Sequence, residues 1–135
     1  MPMKMRATYL QDQTSLSDTD SPRTDLDVKA PISAIDVIIR AKNGSTRNDT
    51  VGLHTDVDAI NILDGGDEIV ALDGSQHLGA SFYRNKTNPP VFLSEKASDF
   101  QRMLVRIPFG RWLGDPMYYL DPSMSRTCSW SWKYP

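Results

Sequence analysis

His54-Thr55-Asp56 is the first place in this sequence where residue types and spacing suggest chemistry. One His and a carboxylate two residues later match part of the facial triad that holds non-haem iron, which needs a second His and leaves positions open for oxygen and substrate. His77 is the only other histidine, so such a centre would consist of His54, Asp56 and His77. A three-residue match arises readily by chance, and a solvated loop histidine is the plainer reading. These three are weak metal candidates only. The expectation is no catalytic residue, no cofactor, no metal and no enzyme activity.

The other reactive side chains lead to the same expectation. Asp56, Asp58, Asp64, Asp67 and Glu68 offer carboxylate oxygens of the kind calcium takes, but not at the spacing of an EF-hand loop. Asp beside Gly is ordinary turn composition. Cys128 stands alone, which excludes an internal disulfide and a multi-cysteine zinc site, and it has no adjacent base to activate a thiolate. No Gly-x-Ser-x-Gly, P-loop or dinucleotide fingerprint occurs. Arg102, Arg106 and Arg111 could pair with phosphate, although Arg102 and Arg106 read more simply as the solvated face of a strand. Asn43, Asn48 and Asn85 lie in N-x-S/T triplets, which matter only in a secretory setting.

Composition narrows the classes. At 135 residues one domain is expected, and 39% hydrophobic with 24% charged residues describes a globular protein. A net charge of −2 makes no case for specific nucleic-acid binding. No apolar run approaches the ~18 residues of a spanning helix, and Met1–Leu10 lacks the apolar block of a signal peptide. No membrane span is expected, and synthesis in the cytoplasm is.

The elements that would position these residues are short strands. Residues 1–31 read as an N-terminal strand, over Met3–Leu10, followed by a flexible acidic and polar arm in which Leu26 and Val28 open a short strand. Ile32–Lys42 is the clearest strand of the first half. Ile35, Val37, Ile39 and Ala41 share one face and Asp36, Ile38, Arg40 and Lys42 the other. Asn43-Gly44 signals a tight turn, although the polar residues after it suggest a longer excursion. Val57–Leu63 presents Val57, Ala59 and Ile62, with Ile60 out of phase, and ends in the turn Asp64-Gly65-Gly66. After Ile69–Leu72, Asp73 or Ser75 caps a short helix near residues 75–85 that packs through Leu78 and Phe82. Val91–Leu93 forms a brief strand.

The second strong strand is Gln101–Ile107, with Gln101, Met103, Val105 and Ile107 inward and Arg102, Leu104 and Arg106 outward. Pro108 ends it, since proline has no N–H to donate. The corner that follows carries Phe109, Trp112, Met117, Tyr118, Tyr119 and Leu120, broken by Gly110, Gly114 and Pro116, so it is a packed loop rather than a long helix. The fold expected is all-β: a jelly-roll-like antiparallel β-sandwich over residues 32–124 with one short helix.

Residues 125–135 form an anomalous tail in which Cys128, Trp130 and Trp132 alternate. The plain reading is a terminal edge strand. A sharper one uses the genetic code: Trp is TGG and Cys is TGT or TGC, so in a shifted frame each contributes the last two bases of an NTG codon. NTG encodes only Leu, Met or Val. The other frame therefore places an aliphatic residue at every second position whatever synonymous codons are used, and the expectation is an out-of-frame tail on the amino-terminal piece of a larger protein.

Three segments in order, R-A-K-N-G (Arg40–Gly44), INILDGGDEIVALDGSQHLGASFY (Ile60–Tyr83) and IPFGRWLGDPMYYLDPS (Ile107–Ser123), resemble the amino-terminal jelly roll of coat proteins from tailless, double jelly-roll phages. The resemblance spans most of Ile32–Ser123 and is lost at Ser125, where that pattern starts a new strand. It implies a structural virion protein that self-associates, as a trimer, and contacts neighbouring capsid subunits, with no small-molecule substrate. The assembly surface would be Phe109, Arg111, Trp112, Tyr118 and Tyr119. The alternative is a non-catalytic β-sandwich binding module, for carbohydrate or a receptor, using Trp112, Tyr118 and Tyr119 as a stacking platform. Exposed, coplanar rings would favour the module and inward-packed rings the coat.

Overall fold

The structure is a computed structural model of the 135-residue chain that describes residues 5–17, 20–49, 52–123 and 128–133, the last of these as backbone only. Seven strands and one helix follow in order: β1 (Arg23–Asp25), β2 (Ala34–Lys42), β3 (Ala59–Asp64), β4 (Asp67–Leu72), α1 (Gly74–Asn85), β5 (Val91–Phe92), β6 (Phe100–Pro108) and β7 (Cys128–Lys133). Every strand pair is antiparallel. The strands form two sheets, ordered β1-β7-β3-β4 and β2-β6-β5. The fold is thus mainly β with one helix, as the alternating pattern predicts.

The pairing of β2 with β6 is the spine of the smaller sheet. It runs without a break from Ala34 opposite Pro108 to Lys42 opposite Phe100. Strand alternation sends Ile35, Val37, Ile39, Met103, Val105 and Ile107 to one side, where all are buried. From the larger sheet Ile60 and Ile62 are fully buried, and Leu26, Leu53 and Val57 join from loops to make one cluster with the first six. Fully burying such a side chain is worth about 1.5–3 kcal/mol. The inward faces of both sheets therefore share a core.

Gln101 is the polar member of that inward face and is 4% exposed. Its Oε1 accepts from Leu53 N–H at 3.0 Å, and its Nε2 donates to Asn43 Oδ1 at 2.8 Å. Asn43 is buried as well; its Nδ2 donates to the carbonyls of Ser94 and Lys96. Asn43-Gly44 is therefore no tight turn, and neither residue has positive φ. A buried amide must find partners, so Asn43 turns inward and ties the end of β2 to the loop before β6. The glycines that do take left-handed backbone as a turn are Gly65 and Gly66, between β3 and β4.

Three other expectations shift, and one irregularity is added. Residues 5–10 belong to no strand; Met5 and Tyr9 point to solvent and Leu10 reaches the core. The strand of the amino-terminal arm is Arg23–Asp25, just before buried Leu26. In β3 the inward residues are Ile60 and Ile62, so Ile60 is in phase; Val57 lies before the strand and joins the core from a loop. The register of β3 against β4 jumps at Ile62/Leu63, because Ile69 is an extra residue on β4 that bulges out to solvent.

Helix α1 starts on Asp73, in a capping box. The Asp73 carboxylate accepts from Gln76 N–H at 2.7 Å while Gln76 Oε1 accepts from Asp73 N–H at 3.1 Å. The helix ends with Lys86 in the left-handed region. It packs inward through Gly74, His77 and Leu78, whereas Phe82 and Tyr83 lie exposed as an edge-to-face pair. The start of the helix sits close enough to require glycine: a Cβ on Gly74 would lie 2.5 Å from the carbonyl oxygen of His54.

The backbone of β7 lies between β1 and β3, with Ser131 opposite both Arg23 and Asn61. The tail strand is thus interior to its sheet rather than an edge.

Candidate functional site

The segment after β6 forms a loop anchored at both ends and in its middle. Pro108 closes the ladder and Phe109 donates its N–H to Ser33 O at 3.0 Å, while its half-buried ring packs on the core. The far end is pinned by mutual hydrogen bonds between Ile32 and Leu120 at 2.7 and 2.9 Å. In the middle, Gly114 N–H donates to Ser33 Oγ at 2.7 Å. Gly114 has φ 79°, a conformation that side chains with a Cβ disfavour.

Asp115 organises the interior of this loop. Its side chain is 0% exposed. Oδ2 accepts from the backbone N–H of Arg111 at 3.2 Å and from its Nε at 3.1 Å, and Oδ1 accepts from Met117 N–H at 3.0 Å. Burial acts most strongly on this carboxyl and pushes its pKa up; the bonds from Met117 and Arg111 together outweigh that and hold it below the ordinary 3.8. Gly110 lets the loop close over it, since a Cβ there would meet Asp115 Cβ at 2.6 Å.

This frame holds the rings outward. Trp112 and Tyr118 are each 54% exposed and Tyr119 48%, with Leu113 and Met117 exposed beside them. The Arg111 guanidinium, fixed by Asp115, lies 4.6 Å from the centre of the Trp112 ring and 5.5 Å from that of Tyr118. Of the residues expected to form a surface, Arg111, Trp112 and Tyr118 are brought into contact. Tyr119 is exposed in the same loop, and Phe109 is an inner anchor rather than a surface ring.

Asp115, Leu113 and Met117 are absent from the sequence-based set. Asp115-Pro116-Met117 carries the signal that finds the first, since an Asp that accepts from the backbone two residues on is a standard turn device.

Among the described residues no three His, Cys, Asp or Glu side chains lie close enough to hold an ion. His77 is buried against β3, where its Nε2 donates to Ile60 O at 3.3 Å. Burial is the main influence on His77 and lowers its pKa below 6.5, partly opposed by the Ile60 carbonyl and the charge of Asp73. His54 is half-buried, and its carbonyl receives the Ser75 hydroxyl at 3.4 Å under the start of α1. His77 fastens the helix to β3, and the backbone of His54, in the loop before that strand, braces the helix start.

The two strand arginines also have structural surroundings. Arg106 forks onto Asp36 directly across the ladder, with both bonds at 2.6 Å, and Arg102 stands opposite Arg40. Half-exposed pairs of this kind contribute little stability.

The molecule is thus a mainly β, antiparallel scaffold bearing a braced loop of exposed rings around one arginine. Comparison with protein-family models, curated proteins and solved structures finds no match for this chain. Among the described residues no helix is long and apolar enough to cross a membrane.

Proposed function

We propose that this chain is a structural virion protein: a capsid or coat jelly-roll domain that works by self-assembly, with the loop Phe109–Leu120 as a contact surface. The observation that carries the reading is the Arg111 guanidinium held by buried Asp115 against Trp112 and Tyr118. Arg, Trp and Tyr are the residues most enriched at the energetic centres of protein interfaces. Fixing them in the free chain lowers the entropy lost on docking. The resemblance of three ordered segments to the coat proteins of tailless phages adds support, and it implies a trimer.

The exposure of Trp112, Tyr118 and Tyr119 favours a second reading, a carbohydrate- or receptor-binding module. A stacked sugar needs an open ring face, however, and Arg111 covers one face of Trp112 and lies against Tyr118. That arrangement suits a protein surface better than a sugar.

Light scattering and electron microscopy of the purified full chain test the proposal. A trimer or larger particle is expected, with association weakened about tenfold or more by Arg111→Ala or Trp112→Ala, the loss typical of an interface centre. A chain whose assembly ignores both substitutions would sink it. Sugar-induced quenching of tryptophan fluorescence that disappears in Trp112→Ala would establish the module instead.

A further inference from the structure

Among the described residues the two sheets end in four edge strands, β1 and β4 in one and β2 and β5 in the other, and three of these are blunted in the ways that discourage strand addition. β1 has three residues and follows Pro22. β5 has two and follows Pro89-Pro90. β4 begins with Asp67 and Glu68 and bulges at Ile69. β2 lacks the shortness, the proline and the bulge, although its outer face also carries charges, Asp36, Arg40 and Lys42. It runs for nine residues in unbroken register, contains no proline, and turns only Ile35, Val37, Ile39 and Ala41 inward.

Its free side carries hydrogen-bonding groups in a regular row. Leu104 donates its N–H to Pro90 O at 3.1 Å, away from β2. The Ile38–Leu104 pair is therefore of the non-hydrogen-bonded kind, because in an antiparallel ladder a residue's N–H and C=O point the same way and alternate along the strand. It follows that Ala34, Asp36, Ile38, Arg40 and Lys42 aim their N–H and C=O groups at the open edge.

We infer that β2 of a second copy of this chain docks on this edge, antiparallel about a two-fold axis at Ile38. That register is self-complementary. Ile38 meets Ile38 of the other copy, Asp36 meets Arg40, Arg40 meets Asp36, and inward Val37 meets Ile39. Opposite charges and apolar pairs directly across a ladder are the stabilising arrangement, and a closed two-fold contact uses the same patch on both chains. The outer face agrees. Ile38 is 74% exposed at the centre of the strand, and Leu104 and Pro90 extend the same apolar row across β6 to β5. Pairing doubles this row and joins two three-stranded sheets into one six-stranded sheet. The ring-rich loop reaches this edge only at Ile32, where Leu120 is bonded two residues before the paired stretch 34–42, so the inference goes beyond the loop and does not depend on its rings.

The test reads solution mass by sedimentation on the full chain in a Trp112→Ala background, so that contacts through the ring-rich loop do not enter. A dimer is expected. Ile38→Lys and Ile38→Glu each place two like charges on the axis, and each should halve the mass. Mixing these two chains should restore the dimer, since Lys then faces Glu across the axis. Circular dichroism spectra of both variants should match the parent, because the side chain is exposed in the single chain, while their melting temperatures should lose the stabilisation that dimer formation adds at high protein concentration. A monomeric parent, a dimer that survives both substitutions, or a mixture that stays monomeric overturns the inference. Failure of the loop contact leaves these outcomes unchanged.

Discussion

Asp115 has its whole side chain buried, and its oxygens accept from two backbone N–H groups and one guanidinium. Asp115→Asn replaces one acceptor oxygen with a donor, which faces the N–H groups it used to receive. The loop from Phe109 to Leu120 should then exchange its amides faster and the melting temperature should fall, while Arg111→Ala, which leaves both backbone bonds in place, should do less. Hydrogen exchange across the loop checks the order. His77 gives a separate pH signature. Its folded pKa lies below 6.5, so the unfolded chain binds the extra proton and the stability it contributes is present above about 6.5 and lost as pH falls toward the folded value. Urea midpoints should decline over that window, and His77→Gln, which keeps a donor for Ile60 O, should flatten the decline.

At the scale of elements, α1 is held by its cap and by the close approach of Gly74 to His54, while its remaining glycine has no such duty. A Cβ at Gly79 would meet nothing within 4 Å, and its φ is not positive. Gly79→Ala should therefore stabilise the protein by up to about 1 kcal/mol, read as a raised urea midpoint with unchanged slope. The helix also shows why pattern reading missed its face. Leu78 and Phe82 have helical spacing, but the carbonyl of His54 and the sheet admit only Gly74, His77 and Leu78, so Phe82 stays out.

The molecule as a whole rests on the core shared by the two sheets. Ile60 is 0% exposed and belongs to the larger sheet, yet it lies in one cluster with β2 and β6. Ile60→Ala should cost about 2–5 kcal/mol, a large part of the ~5–15 kcal/mol that holds a domain of this kind together. Tyr9→Ala, at a side chain 90% exposed, should stay within about 0.5 kcal/mol. Equilibrium unfolding in urea compares the two.

Period-two alternation by itself determined β2 and β6, down to the buried Gln101, because a strand with one wet face reads out its neighbours' polarity at every second residue. The caps and breakers were as legible: Asp73 before α1, Gly65-Gly66 in the hairpin, Pro108 at the end of β6. The ring-rich segment was legible as a loop through its breakers Gly110, Gly114 and Pro116, and Asp115-Pro116-Met117 carried a turn signal for Asp115 but none for its burial. Only the tertiary structure decided which partners were near: that Asn43 would bury its amide instead of turning, that Ile69 would bulge, that His77 would bond to Ile60 O, and that β7 would lie inside its sheet. Those outcomes depend on groups distant in sequence, and burial in a shared core is a property of the assembled sheets that no local pattern encodes.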